Sequence, residues 1–174
     1  MKRTISVFGS ANPKSGEEEY ETAYKLGVLL GKNGFSVCSG GFQGIMDAVS
    51  KGVTENGGEA IGVTVDLFSA IPSEYLTQEI KCNTLFSRIE RMIELGDAYI
   101  ILSGGTGTLV ELSIVWEYVN KKLMASKPIF AHGKMWTPMI ETIDKRMEYE
   151  KKQTGIVKYL KNIEDCVNEL LKLL

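Results

Sequence analysis

The run Ser103-Gly104-Gly105-Thr106-Gly107-Thr108-Leu109-Val110-Glu111 joins two ingredients of a reactive site: backbone able to hold an anion, and an acid close behind it. Three glycines let the chain turn sharply and approach a ligand. The N–H groups that open the helix expected after them point at negative charge, typically a phosphate. A carboxylate beside a phosphate cradle is electrostatically awkward. Glu111 therefore either caps that helix, with Thr108 completing a Thr-x-x-Glu box, or acts on a part of the ligand away from the phosphate. Two more glycine turns, Gly9-Ser10 and Gly40-Gly41-Phe42-Gln43-Gly44, also follow strand-like segments directly. Arg88, by itself, reads as a solvated residue on a charged helix face, paired with Glu90, Glu94 or another exposed acid.

These residues need a scaffold, and the chain supplies it by alternation. Thr4–Phe8, Phe35–Cys38, Ala60–Val65, Ala98–Leu102 and Pro128–Phe130 are short, apolar and rich in β-branched or aromatic residues, as strands are. Between them lie helix-patterned segments. One runs to Gly31 from a Ser15/Glu18 capping-box pattern, one spans Ile45–Asn56, and one spans Thr84–Leu95 with Leu85, Ile89, Met92 and Ile93 on its apolar side. A longer one follows the 103–111 run to about Met124, and another covers roughly 137–152. Asp66–Lys81 reads as an irregular stretch, Ile156–Tyr159 as a brief edge strand, and the C-terminal segment as an amphipathic helix.

Strands alternating with helices make right-handed βαβ units, so the expected fold is α/β: one doubly wound, Rossmann-like parallel sheet with helices on both faces, residues 1–174 forming a single domain. Ligands of such folds bind beyond the C-terminal strand ends, at the switch point of strand order. All three glycine turns are expected to converge there.

Several functions fall away. The first turn lacks Gly-x-Gly-x-x-Gly and the second strand does not end in an acid, which argues against NAD; no Gly-Lys is followed by Ser or Thr, which excludes a Walker A loop. The lone His132 has no nucleophile elbow to serve. With 20 basic and 22 acidic residues interspersed, net −2, there is no footprint for nucleic acid or an anionic membrane. Three cysteines without a Cys-x-x-Cys pair suggest no disulfide framework and no metal. The expectation is a cytoplasmic protein with a small-molecule ligand and no cofactor.

The 103–111 run resembles the Pro-Gly-Gly-x-Gly-Thr-x-x-Glu signature of the LOG family, cytokinin riboside 5′-monophosphate phosphoribohydrolases with bacterial relatives that hydrolyse AMP. Gly40–Met46 resembles that family's Gly-Gly-Gly-x-x-Gly-Leu-Met turn, and Arg88 sits where the family has Met-His-x-Arg-Lys-x-x-Met. The resemblance covers Ile5 to about Pro138. It implies cleavage of the N-glycosidic bond of AMP or an N6-substituted AMP, giving free base and ribose 5-phosphate. Arg88 and Glu111 would be the catalytic pair. Gly104, Gly105, Thr106, Gly107 and Thr108 would hold the phosphate, and Gly9, Ser10, Gly40, Gly41, Gly44 and Met46 would line the nucleotide. It also implies a homodimer. The chain departs from the pattern at Ser103 (for Pro), Phe86 (for His), Ile89 (for Lys) and Asp47 (for Gly). Ile89 reads as a positive charge lost beside the site, and the wider superfamily includes non-catalytic nucleotide sensors and molybdenum-cofactor carriers.

Overall fold

The computed structural model describes residues 2–174, the side chain of Phe68 excepted. Seven strands form one parallel sheet: β1 (Thr4–Phe8), β2 (Ser36–Ser39), β3 (Ala60–Val65), β4 (Gln78–Cys82), β5 (Ala98–Ile101), β6 (Ile129–Ala131) and β7 (Val157–Tyr159). Their order is β4-β3-β2-β1-β5-β6-β7. The chain builds outward from β1 to one edge, then returns to the other side of β1, so the switch point lies between β1 and β5. Register there is tight, with Val7 opposite Ile100 and Phe8 opposite Ile101.

Six helices cover the sheet: α1 (Glu18–Lys32), α2 (Ile45–Thr54), α3 (Leu85–Leu95), α4 (Thr106–Asn120), α5 (Trp136–Tyr149) and α6 (Ile163–Leu173). The two-residue period of a strand divides each strand's side chains between two layers. In β5, Ala98 and Ile100 join the layer under α1, α2 and α6, while Tyr99 and Ile101 join the layer under α3, α4 and α5. Both faces being covered explains why the strands read as continuous apolar runs.

Three local expectations change. Asp66–Lys81 is not wholly irregular: its end forms β4, pairing with β3 from Ile61↔Gln78 to Val65↔Cys82. Its sequence, Gln-Glu-Ile-Lys-Cys, hides the strand because an edge strand has one partner and one half-exposed face, where polar residues protect against further pairing. The Ser15/Glu18 capping box does not form. Helix α1 begins at Glu18 with Glu17 as N-cap, and Glu17 and Glu21 instead accept from the N–H groups of Lys14 and Gly16. Helix α4 ends at Asn120 rather than Met124.

The crossover before β4 has no α-helix, only a single 3-10 turn at Asp66–Phe68, and Asp47 holds it. The Asp47 carboxylate accepts from Tyr20 Oη and from Ser73 Oγ, both at 2.7 Å, tying α1, α2 and the crossover together. Ser73 N–H also donates to the Gly41 carbonyl at 2.9 Å, fixing the crossover against the second glycine turn. The departure at Asp47 is thus a structural staple. Asp47→Ala is expected to cost about 1–3 kcal/mol, since two hydrogen bonds to a charged group are lost. Urea melts would measure that cost, and amide exchange should rise first across 71–76.

Candidate active site

The three glycine turns meet at the switch point. Ser10 N–H donates to the Ser103 carbonyl at 3.0 Å, and Ile45 N–H donates to the Ser10 carbonyl at 2.9 Å, so the turns after β1, β5 and β2 are stitched to one another. The turn at 104–108 is the open part of this junction. Helix α4 starts at Thr106 with Gly105 as N-cap, no side chain caps it, and its first internal bond is Leu109 N–H to the Gly105 carbonyl. The N–H groups of Thr106, Gly107 and Thr108 precede that bond and, as in the first turn of any α-helix, have no carbonyl four residues back within the helix, the arrangement an anion site uses.

The glycines themselves are informative. A methyl group at Gly105 or Gly107 would meet no protein atom within 4 Å, so the protein's own packing does not demand glycine there and the space beside the turn is open. Gly104 differs, because a Cβ there would strike Thr108 Oγ1. Gly40, Gly41 and Gly44 are demanded by packing. A Cβ at Gly40 would fall 1.8 Å from Arg88 Nη2 and 2.7 Å from Met46 Sδ, and Gly44, at φ +69°, lies against the backbone of Ser10 and Ala11. A Cβ at Gly9 would collide with Ile45. These residues and the buried Met46 shape the floor of the site.

Arg88 is not on a solvated face. It is 6% exposed; its Nε donates to the Val63 carbonyl at 2.7 Å, its Nη2 to the Gly40 carbonyl at 3.1 Å, and its guanidinium lies over the Phe42 ring at 5.6 Å. Nη1 lies 3.7 Å from Glu111 Oε1, an ion contact beyond hydrogen-bonding distance. The pair expected from the family pattern therefore meets across the gap between α3 and α4, with Arg88 held by one carbonyl inside β3 and one just after β2. The alternative pairing of Arg88 with surface acids is overturned; Glu94 pairs with Arg91 instead. The Thr108/Glu111 capping box is overturned as well, because both residues lie inside α4, past its first residue. Helical spacing held a clue to Arg88: it sits three residues after Leu85 and four before Met92, on the helix's apolar side.

Ile89 is settled by the same helix. Its side chain points into the sheet layer with Met92, Ile93 and Val115, 3% exposed, so this position supports α3 and removes no charge from the site. Phe86 is 76% exposed at the start of α3. Phe42 and the Val63 carbonyl, which position Arg88, had no sequence signal, since both depend on which strands are neighbours.

Burial pushes the Glu111 carboxyl up to about 7, against the opposing pull of the Arg88 guanidinium. The same burial lowers Arg88, with the Glu111 charge opposing. Glu111 is thereby poised to change charge near neutrality, as an acid–base group must be. The linkage has a definite sign. Between the ordinary carboxylate range and pH 7 the folded chain holds a proton that the unfolded chain has released, so stability falls as pH rises through that window. The loss amounts to roughly 3 kcal/mol once both states are ionised. Melting curves from pH 4.5 to 8 should show this decline in the wild type and a flatter profile in Glu111→Gln.

Gly40→Ala offers a separate probe of the pair. The added methyl meets Arg88 Nη2 and Met46 Sδ, so overpacking should cost about 1–3 kcal/mol. Displacing the guanidinium should raise the Glu111 carboxyl further and steepen the loss of stability with rising pH, which melts of Gly40→Ala beside wild type from pH 4.5 to 8 would show.

Among the described residues no group of His, Cys, Asp and Glu could hold a metal ion, and no helix is long and apolar enough to cross a membrane.

The chain is similar to known proteins in both sequence and fold. It is 27% identical over 150 residues to a cytokinin riboside 5′-monophosphate phosphoribohydrolase of Rhodococcoides fascians, covering 82% of this chain and 74% of the relative. A Mycobacterium tuberculosis protein of the same name is 30% identical over 116 residues, 65% of this chain and 62% of the relative. A solved molybdenum cofactor binding protein from Rippkaea orientalis shares the fold, with a TM-score of 0.80, 20% identity, and coverage of 99% of this chain and 98% of that one. The model of the SLOG cluster4 family matches residues 2–167. With LOG proteins among its relatives and that match spanning nearly the whole chain, this protein belongs to the SLOG cluster4 family.

Proposed function

We propose that this protein is a phosphoribohydrolase that cleaves the N-glycosidic bond of AMP or an N6-substituted AMP, giving free base and ribose 5-phosphate. The observation that carries the reading is the buried Arg88–Glu111 contact, placed behind an uncapped, glycine-opened helix start. The phosphate lies on the N–H groups of Thr106, Gly107 and Thr108. From Thr106 to Glu111 the helix rises roughly 7.5 Å, a span on the scale of one ribose, which brings the carboxyl to the anomeric carbon.

Leaving of the base develops positive charge on the ribose. Ionised Glu111 stabilises that charge and orients or deprotonates the attacking water. Arg88 holds the carboxylate in place and keeps an ionised form accessible near neutral pH. No cofactor is part of this reading. It includes action in the cytoplasm, where the free thiols of Cys38, Cys82 and Cys166 stay reduced. It also includes a homodimer, for which Leu123 and Ile143 offer exposed apolar contacts near α4 and α5, and light scattering reads the state.

Incubation with AMP and with N6-substituted AMP, followed by chromatography for base and ribose 5-phosphate, tests the reading. Release of both products from either nucleotide is expected. Tight nucleotide binding without release would replace the enzyme with a non-catalytic nucleotide-binding protein.

A further inference from the structure

A second feature adjoins the phosphate turn on the side away from Arg88 and Glu111. A cleft of about 600 Å³ opens between the start of α1 and the loops after β5, β6 and β7. Ser103, His132, Lys134 and Lys161 line it on one side, and Glu18 and Glu19 on the other. Its outer wall is built rather than loose. His132 Nδ1 lies 3.0 Å from the Leu160 carbonyl, joining the loops after β6 and β7, and Trp136 Nε1 donates to the Leu102 carbonyl at 3.1 Å. The cleft reaches the phosphate turn through Ser103. A Cβ at Gly133 would come within 2.9 Å of Ser103 Oγ, so the loop after β6 abuts the residue that leads into Gly104. Ser103 is also where this chain departs from the LOG signature's proline, which has no hydroxyl to offer.

None of residues 104–108, Arg88 and Glu111 lines this cleft, so a nucleoside monophosphate held by those residues does not account for it. The lining is mixed in a particular way: two lysines and the Ser103 hydroxyl suit phosphate oxygens, while two carboxylates suit the hydroxyls of a polyol. Resting on the phosphate-turn reading above, we infer that the cleft is a specificity site for nucleotides whose 5′-phosphate is extended, namely nucleoside diphosphate sugars. The inner phosphate sits on the turn, the outer phosphate faces Lys134, Lys161 and Ser103, and the sugar hydroxyls face Glu18 and Glu19. The inference concerns binding, and no bond is made or broken in it.

Titration calorimetry with AMP, ADP and ADP-glucose tests it on wild type, Lys134→Ala/Lys161→Ala and Glu18→Gln/Glu19→Gln. All four positions are exposed, so the variants are expected to fold. ADP-glucose should bind the wild type at least about tenfold more tightly than AMP. The lysine variant should lose that advantage for both ADP and ADP-glucose, the glutamine variant for ADP-glucose alone, and AMP should bind all three equally. Equal affinity for AMP and ADP-glucose in the wild type, with AMP still bound, overturns the inference and leaves the phosphate-turn reading intact. Failure of every nucleotide to bind overturns both. An advantage for ADP-glucose that survives in the lysine variant also overturns it, because the outer phosphate then lies elsewhere.

Discussion

Glu111→Gln is expected to lower turnover by about 10²–10⁴-fold while leaving nucleotide affinity within a few-fold of wild type. Glutamine keeps the shape of the side chain and removes the charge. The deficit should therefore appear in kcat, because the ionised carboxylate acts on charge that develops during bond cleavage. The pH profile gives the signature. Burial holds the carboxyl at about 7, and the working form is the ionised one, so kcat/KM should rise with pH to a plateau above that value and fall about tenfold per unit well below it. The residual rate of Glu111→Gln should lack this limb. At pH 8 the variant should also melt at least as high as wild type, since an ionised carboxylate is no longer being held in a buried site. A variant retaining more than about a tenth of wild-type turnover would remove Glu111 from the chemistry. A sharp fall in melting temperature would assign it a mainly structural part.

The second large effect is expected at Arg88. Arg88→Ala removes the cation facing a buried acid and also strips two donors from the Val63 and Gly40 carbonyls. Breaking a buried pair from one side leaves the other charge uncompensated and costs about 3–5 kcal/mol. The sign with pH distinguishes this from simple loss of packing. Without Arg88 the Glu111 carboxyl is raised further, so the deficit should be greatest at pH 8 and smaller at pH 5.5, where the carboxyl is protonated in the folded chain. Arg88→Ala/Glu111→Gln should be more stable at pH 8 than Arg88→Ala alone. Arg88→Lys should restore part of the stability but little turnover, because an ammonium cannot reproduce the planar fork that bonds two carbonyls while facing Glu111. Urea melts across pH, with activity on the same samples, check each outcome. A pH-independent deficit would mean that Arg88 contributes packing and hydrogen bonds without acting on Glu111.

The departures from the LOG signature have separate physical accounts. Asp47 ties a crossover without an α-helix to α1 and α2, Ile89 fills the layer beneath α3, and Ser103 lines a cleft beside the 104–108 turn. Phe86 stands exposed, and nothing in the structure explains it.

By itself, the sequence determined the alternation of strands and helices, five of the seven strands to within a residue or so with β7 as a brief extended edge, and the three glycine turns with their acid. Those features are local. A strand buried on both faces is a short apolar run, a helix repeats its apolar side every three to four residues, and glycine marks where the backbone turns. Edge strand β4 escaped because its exposure leaves a polar sequence, and the capping boxes at Ser15 and Thr108 were misread because a side-chain pattern does not fix where a helix begins. Tertiary structure alone decided what depends on strand order. It placed β5 beside β1, brought the turns at 9–10, 40–44 and 104–108 to one junction, and set Gly40 beneath a guanidinium 48 residues away in sequence. Above all it decided the state of Glu111. The acid's sequence position fits a cap equally well, whereas burial opposite Arg88, between two helices that meet only in the folded sheet, gives it a proton to exchange near neutral pH.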